Sequence, residues 1–100
     1  MIYLTQLIFI KEGQEEVFNQ FEEVAIPLIG KYNGQLLLRI RPTDDAYIEQ
    51  RMEKPYEIHF VRFDSEQDLA AFQQDESWKQ FLHLKEQSVR TAILIQGVKL

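Results

Sequence analysis

The chain has 100 residues, 45% of them apolar, a net charge of −5 and no cysteine. A chain of that length can bury roughly 60–70% of its unfolded surface, so a single domain spanning residues 1–100 needs neither disulfide nor metal to hold it together. Without thiols there are no disulfides, thiolate nucleophiles or cysteine-based zinc sites, and an acidic balance without a lysine-rich run argues against a nucleic-acid partner.

The opening run MIYLTQLIFIKEG is apolar but lacks a basic stretch and a small-residue cleavage site, and it falls short of the ~20 apolar residues of a membrane span. A cytoplasmic location with no membrane partner is expected. Ile2 to Ile10 reads as a strand that is apolar on both faces, with Ile2, Leu4, Ile8 and Ile10 on one and Tyr3, Leu7 and Phe9 on the other. After the break at KEG, Val17, Phe18, Phe21, Val24, Ala25, Leu28, Ile29 and Tyr32 recur at helical spacing. Pro27 lies inside that helix and predicts a kink. The following YNG ends it, with Asn33 or Gly34 supplying the left-handed residue.

Gln35 to Arg41 forms a second predicted strand, and the polar, proline-flanked PTDDAYIEQRMEKP a long loop. Tyr56 to Phe63 is the third strand. Ser65 with Asp68 resembles a capping box and starts a helix carrying Leu69 and Phe72. Ser77 with Gln80 recaps a short helix bearing Trp78, Phe81 and Leu82, and Val89 to Gly97 is the last strand. The order is βαββαβ, which predicts an α+β, ferredoxin-like domain: a four-stranded antiparallel sheet with helices on one face. Because most strands are apolar on both faces, the uncovered face needs a cover, and a second copy of the same sheet supplies one. A homodimer through that face is expected.

Taken together, the segments AIPLIGKYNGQLLLR, IEQRMEKPYEIHFVRFDSEQDLAAFQQDESWKQF and AILIQG resemble the dimeric α+β-barrel superfamily. The likeness is nearest to the small uncharacterised proteins related to antibiotic-biosynthesis-type monooxygenases. It implies a dimeric α/β barrel; activity does not transfer with it, since this superfamily hosts oxygenases, isomerases and proteins of no known activity. Haem-degrading members pair a helical Trp-x9-His with an Asn in the first strand. The matching positions here are Phe72, Leu82 and Gln6, and His83 lies one residue out, about 100° around a helix. Haem degradation is therefore a remote alternative, and no bound cofactor or metal is expected.

Each strand carries one central polar residue among apolar ones: Gln6, Arg39, His59 and Gln96. The resemblance places the Gln6 position on the face lining the barrel between sheet and partner. If the other three share that face, the dimer encloses an apolar cavity with a few polar groups, the usual form of a small-molecule site. His59 is then the candidate acid/base catalyst. Arg39, Gln6 and Gln96 are the candidate ligand-binding residues. Glu57 lies too far along the strand to be assumed a partner of His59. Arg39, Arg41, Arg51, Lys54 and Arg62 gather around the second and third strands, where ion pairs with Asp44, Asp45, Glu49 and Glu53 explain them as well as an anionic ligand does. Two functions follow: a cofactor-independent monooxygenase or isomerase acting on a small organic molecule, or a non-catalytic dimeric binding module.

Overall fold

The structure is a computed structural model describing Met1–Leu100. Four strands, β1 (Ile2–Ile10), β2 (Gly34–Ile40), β3 (Glu57–Phe63) and β4 (Val89–Gly97), form one antiparallel sheet in the order β2-β3-β1-β4. Three helices, α1 (Glu15–Lys31), α2 (Glu66–Gln73) and α3 (Trp78–Ser88), complete the chain. The long loop between β2 and β3 carries a short 3-10 turn at Asp44–Ala46. The order and pairing are those of the ferredoxin-like fold expected from the sequence. No helix is long and apolar enough to cross a membrane.

The core lies between sheet and helices. Ile2 and Leu4 of β1, Val61 and Phe63 of β3, Ile29 of α1 and Leu69 of α2 pack into one buried cluster. Strand pairing fixes which residues share that face. Leu4 lies opposite Val61 and Gln96, and Gln6 opposite His59 and Leu94. Directly opposed residues of an antiparallel pair point to the same side, so these all face the helices. Strand β2 breaks step at Leu37. Leu36 pairs with Val61, but Leu38 pairs with Phe60 and Arg39 with His59. This bulge holds one extra residue and turns Arg39 to the helix side, while Leu38 and Ile40 join the opposite face.

Pro27 does not break α1, whose helical run continues from Glu15 to Lys31. The proline and Glu23, four residues before it, are both exposed, so the carbonyl left without an N–H partner can be solvated. Asn33, with φ of 58°, supplies the left-handed residue after α1. Ser65 caps α2, its hydroxyl oxygen accepting from the Asp68 N–H at 3.1 Å. Helix α3 is longer than its sequence suggested. Ser77 makes no capping bond, and the helix runs on to Ser88 past an irregular turn at Phe81. Asp75 supplies the junction instead, taking hydrogen bonds from the Ser77 N–H, the Tyr32 hydroxyl and Lys31. The Tyr32 bond, seconded by Ser77, holds its carboxyl well below the usual carboxylate range.

Gly34 enters β2 where nothing larger fits. A Cβ there would lie 2.7 Å from the Phe63 ring, 2.8 Å from the Ile29 side chain and 2.9 Å from the Ile29 carbonyl oxygen. Gly34→Ala is expected to destabilise the fold by roughly 1–3 kcal/mol. An unchanged chemical-denaturation midpoint for this variant would contradict the close approach.

Candidate functional site

Three ionisable side chains meet under α1. Glu57 is 0% exposed, His59 4% and Glu22 4%. Glu57 and His59 are two residues apart on β3 and therefore share a face, and the flexible glutamate reaches back to the ring. His59 Nε2 hydrogen-bonds to Glu57 Oε2 and lies 3.5 Å from Glu22 Oε1. Arg39 Nε donates to Glu57 Oε2 at 3.1 Å, and Arg41 Nε to Glu57 Oε1 at 2.7 Å. Arg41 is fixed in turn by Asn19 at 2.6 Å and by the Tyr56 ring, 4.8 Å from its guanidinium carbon.

The two carboxyls are pushed in opposite directions. Burial, reinforced by the neighbouring Glu57 charge, raises the Glu22 pKa to about 8, so Glu22 is mainly protonated at neutral pH. Burial also disfavours the Glu57 anion, but hydrogen bonds from His59, Arg41 and Arg39 outweigh it and bring its pKa down to about 2. One acid and one anion, side by side, is the pattern of a divided pair of carboxyls.

The ligand atoms of Glu22, Glu57 and His59 lie within 4.8 Å of one another, close enough to suggest a metal centre. The donor set does not fit one. Both Glu57 oxygens already accept from cations, and the nearby His59 nitrogen is committed to Glu57.

A cavity of about 450 Å³ lies between the sheet and the helices, lined mainly by apolar side chains. Its polar lining includes Gln6, Glu22, His59 and Lys85. The Gln6 amide, despite its position opposite His59, makes no hydrogen bond within the chain, and neither does His59 Nδ1. Phe21, Phe72 and Trp78 form part of the wall, their rings packed against one another and Trp78 Nε1 donating to the Phe72 carbonyl at 2.7 Å.

The four polar positions singled out in the sequence do share one face, but it is the helix-covered face rather than the open one. Gln6 and His59 line the cavity there. Arg39 joins them through Glu57, because the β2 bulge turns it inward. Gln96 stands apart at the end of the edge strand, where its amide meets Glu66 at 3.4 Å. Glu57, set aside on sequence grounds as too distant, is the direct partner of His59. Glu22 went unnoticed, although its signal was present: in the buried series Phe18, Glu22, Ala25, Ile29, an acid occupies a core position. His83 is exposed and outside the cavity. Of the loop charges, Arg51 pairs with Glu49 and Lys54 with Asp44, as ordinary surface ion pairs.

No family model matches the chain, and no curated protein sequence does either. Solved structures do. A protein of unknown function from Rhodopseudomonas palustris superposes with a TM-score of 0.79 at 12% identity, covering 99% of this chain and 82% of that one. An uncharacterised NIPSNAP domain protein from Burkholderia xenovorans gives 0.70 at 14% identity, covering 100% and 95%. An antibiotic biosynthesis monooxygenase-like protein from Nitrosomonas europaea gives 0.73 at 11%, covering 100% and 99%. The chain thus shares the ferredoxin-like fold of NIPSNAP and monooxygenase-like proteins, and at these identities the likeness is one of fold.

The opposed carboxyls give stability a definite pH dependence. A carboxyl whose folded pKa is raised binds its proton more tightly when folded, so Glu22 weakens the fold as pH climbs from about 4.5 to about 8. Glu57, shifted down, weakens it as pH falls from about 4.5 towards 2. Glu22→Gln should flatten the upper slope and stabilise the protein by a few kcal/mol near pH 9. Thermal denaturation of both proteins across pH 5–9 checks this, and parallel curves would count against the buried acid.

Proposed function

We propose that this chain binds and transforms a small organic molecule in the cavity between sheet and helices, by proton transfer and without a bound cofactor. One observation carries the reading: His59 lines an apolar cavity with one nitrogen anchored to a buried carboxylate and the other without a partner in the chain. With Nε2–H donated to Glu57, His59 has Nδ1 left without a partner, and in the neutral form of the ring that nitrogen is an oriented general base. Glu57 stabilises the imidazolium that forms when His59 takes a proton, and Arg39 and Arg41 keep Glu57 ionised for that task. The lost proton leaves a carbanion or enolate whose oxygen can accept hydrogen bonds from protonated Glu22 and from the Gln6 amide. Returning the proton to a different carbon completes an isomerisation. Reaction of the same carbanion with dioxygen, converting CH2 to C=O with release of one water, is the monooxygenase variant.

A second reading, a non-catalytic binding module, keeps the cavity and treats the charge network as scaffolding. It is favoured by the way three donors already satisfy Glu57. Gln96, which is not part of the cavity lining, has no role in either reading.

We also infer a homodimer through the open sheet face. Tyr3, Thr5, Leu37, Phe60 and Ile95 line a shallow hollow of about 510 Å³ there, with the Tyr3 and Phe60 rings stacked 5.6 Å apart. Leu38, Ile93 and Ile95 on the same face are each more than 40% exposed. A contiguous apolar sheet face is self-complementary, so a second copy related by a two-fold axis fits it.

Proton transfer is tested with 2-tetralone, an apolar ketone with exchangeable α-hydrogens, in deuterated buffer. The protein should speed α-deuteration above the buffer rate, and His59→Asn should lose about a hundredfold of that gain. Exchange at the buffer rate, or exchange unaffected by the substitution, would leave the binding-module reading. For the dimer, light scattering should give twice the chain mass, and Ile95→Lys should halve it; a monomer at micromolar concentration would sink the interface.

A further inference from the structure

The cavity is not sealed. Leu82 of α3 and Leu94 of β4 both line it, yet they are 45% and 51% exposed. The mouth therefore lies between α3 and the edge strand, and it has apolar lips. Lys85 stands one helical turn from Leu82 on the same side of α3 and also lines the cavity. Its ammonium makes no ion pair or hydrogen bond in the chain, whereas Lys31, Lys54 and Lys79 all have carboxylate partners.

Glu22, His59 and Lys85 are the only ionisable residues in the lining. With Glu22 holding its proton and His59 paired with Glu57, Lys85 is the one charged group of the lining without a partner in the chain, and it stands at the mouth in a protein of net charge −5. Apart from Lys85, Gln6, Glu22, His59 and Gln73, the lining is aliphatic and aromatic. At about 30 Å³ per water-sized group, 450 Å³ holds roughly fifteen non-hydrogen atoms.

We propose that the cavity selects an apolar monocarboxylic acid, its hydrocarbon body between sheet and helices and its carboxylate at the mouth on Lys85. This rests on the cavity reading given above and adds the ligand's charge and orientation. The bland role for Lys85, a cation balancing the dipole at the end of α3, leaves the unpaired ammonium beside the apolar mouth without a purpose. An acid bound this way enters body first, which brings its carbon skeleton to His59 and leaves the most hydrated group nearest water. The ammonium–carboxylate contact lies in a partly solvated mouth, so it supplies selection more than affinity.

The single tryptophan, Trp78, lies in the cavity wall and reports occupancy. Decanoate, 1-decanol and decylamine serve as matched probes, titrated below their aggregation limits while Trp78 emission and the methyl NMR signals of Leu82 and Leu94 are followed. Decanoate should bind about threefold to fivefold more tightly than decanol at low salt, decylamine more weakly than either, and added salt should narrow the gap. Lys85→Gln should bring decanoate down to the level of decanol while leaving decanol unchanged. Equal binding of acid and alcohol, or a preference for acid that survives Lys85→Gln, would overturn the proposal and leave the cavity standing. Failure of all three probes to perturb Trp78 and both leucines would overturn the cavity reading itself, and the proposal with it. Repeating the titration with His59→Asn keeps binding apart from catalysis: the preference for acid should survive in that variant.

Discussion

The Glu57 carboxylate sits on a central strand with none of its surface in water, and an anion so placed is stable only when donors surround it. Three side chains do so: His59 from the same strand, Arg39 from β2 and Arg41 just beyond its end. Much else follows from meeting that requirement. The β2 bulge brings Arg39 inward. The Tyr56 ring and Asn19 hold the Arg41 guanidinium in place. Tyr56 is itself set by its N–H bond to the Ile8 carbonyl and by its edge contact with Phe18. The cluster thus ties α1, the long loop and both edges of β3 into one unit.

The same charge governs its neighbours. Burial, with an ionised Glu57 alongside, makes a second carboxylate unfavourable, so Glu22 keeps its proton, and Glu57 fixes the His59 ring through Nε2. A single buried anion therefore reinforces one protonation state and sets one ring orientation. Such coupling is why buried polar clusters fail as a whole when one member is removed.

The architecture was legible because it follows from periodicity. The strand alternation of Ile2–Ile10, the helical stripe from Phe18 to Ile29 and the Ser65–Asp68 cap each state their structure locally. The face occupied by His59 was not legible in the same way. Glu57, His59, Val61 and Phe63 form one alternating set and Ile58 and Phe60 the other, both apolar enough to be buried. Only the packing of α1 shows that the first set lies beneath the helices. The Glu57–His59 contact was missed because Cα spacing along a strand ignores the reach of a long side chain. Pro27 sits within a continuous α1 because the carbonyl freed by its missing N–H is on the wet side of the helix.

The extra residue at Leu37 also affects how this chain is compared with others. Up to Leu36, residues of β2 with even numbers face the helices; after the bulge, the inward residues are odd-numbered. Matching β2 to a regular strand without a one-residue gap would therefore pair Arg39 with outward positions in the other protein. At 11–14% identity few matched letters correct such a slip. For this fold, the Arg39 position is defined by its partner His59 across the ladder, not by counting from the start of the strand.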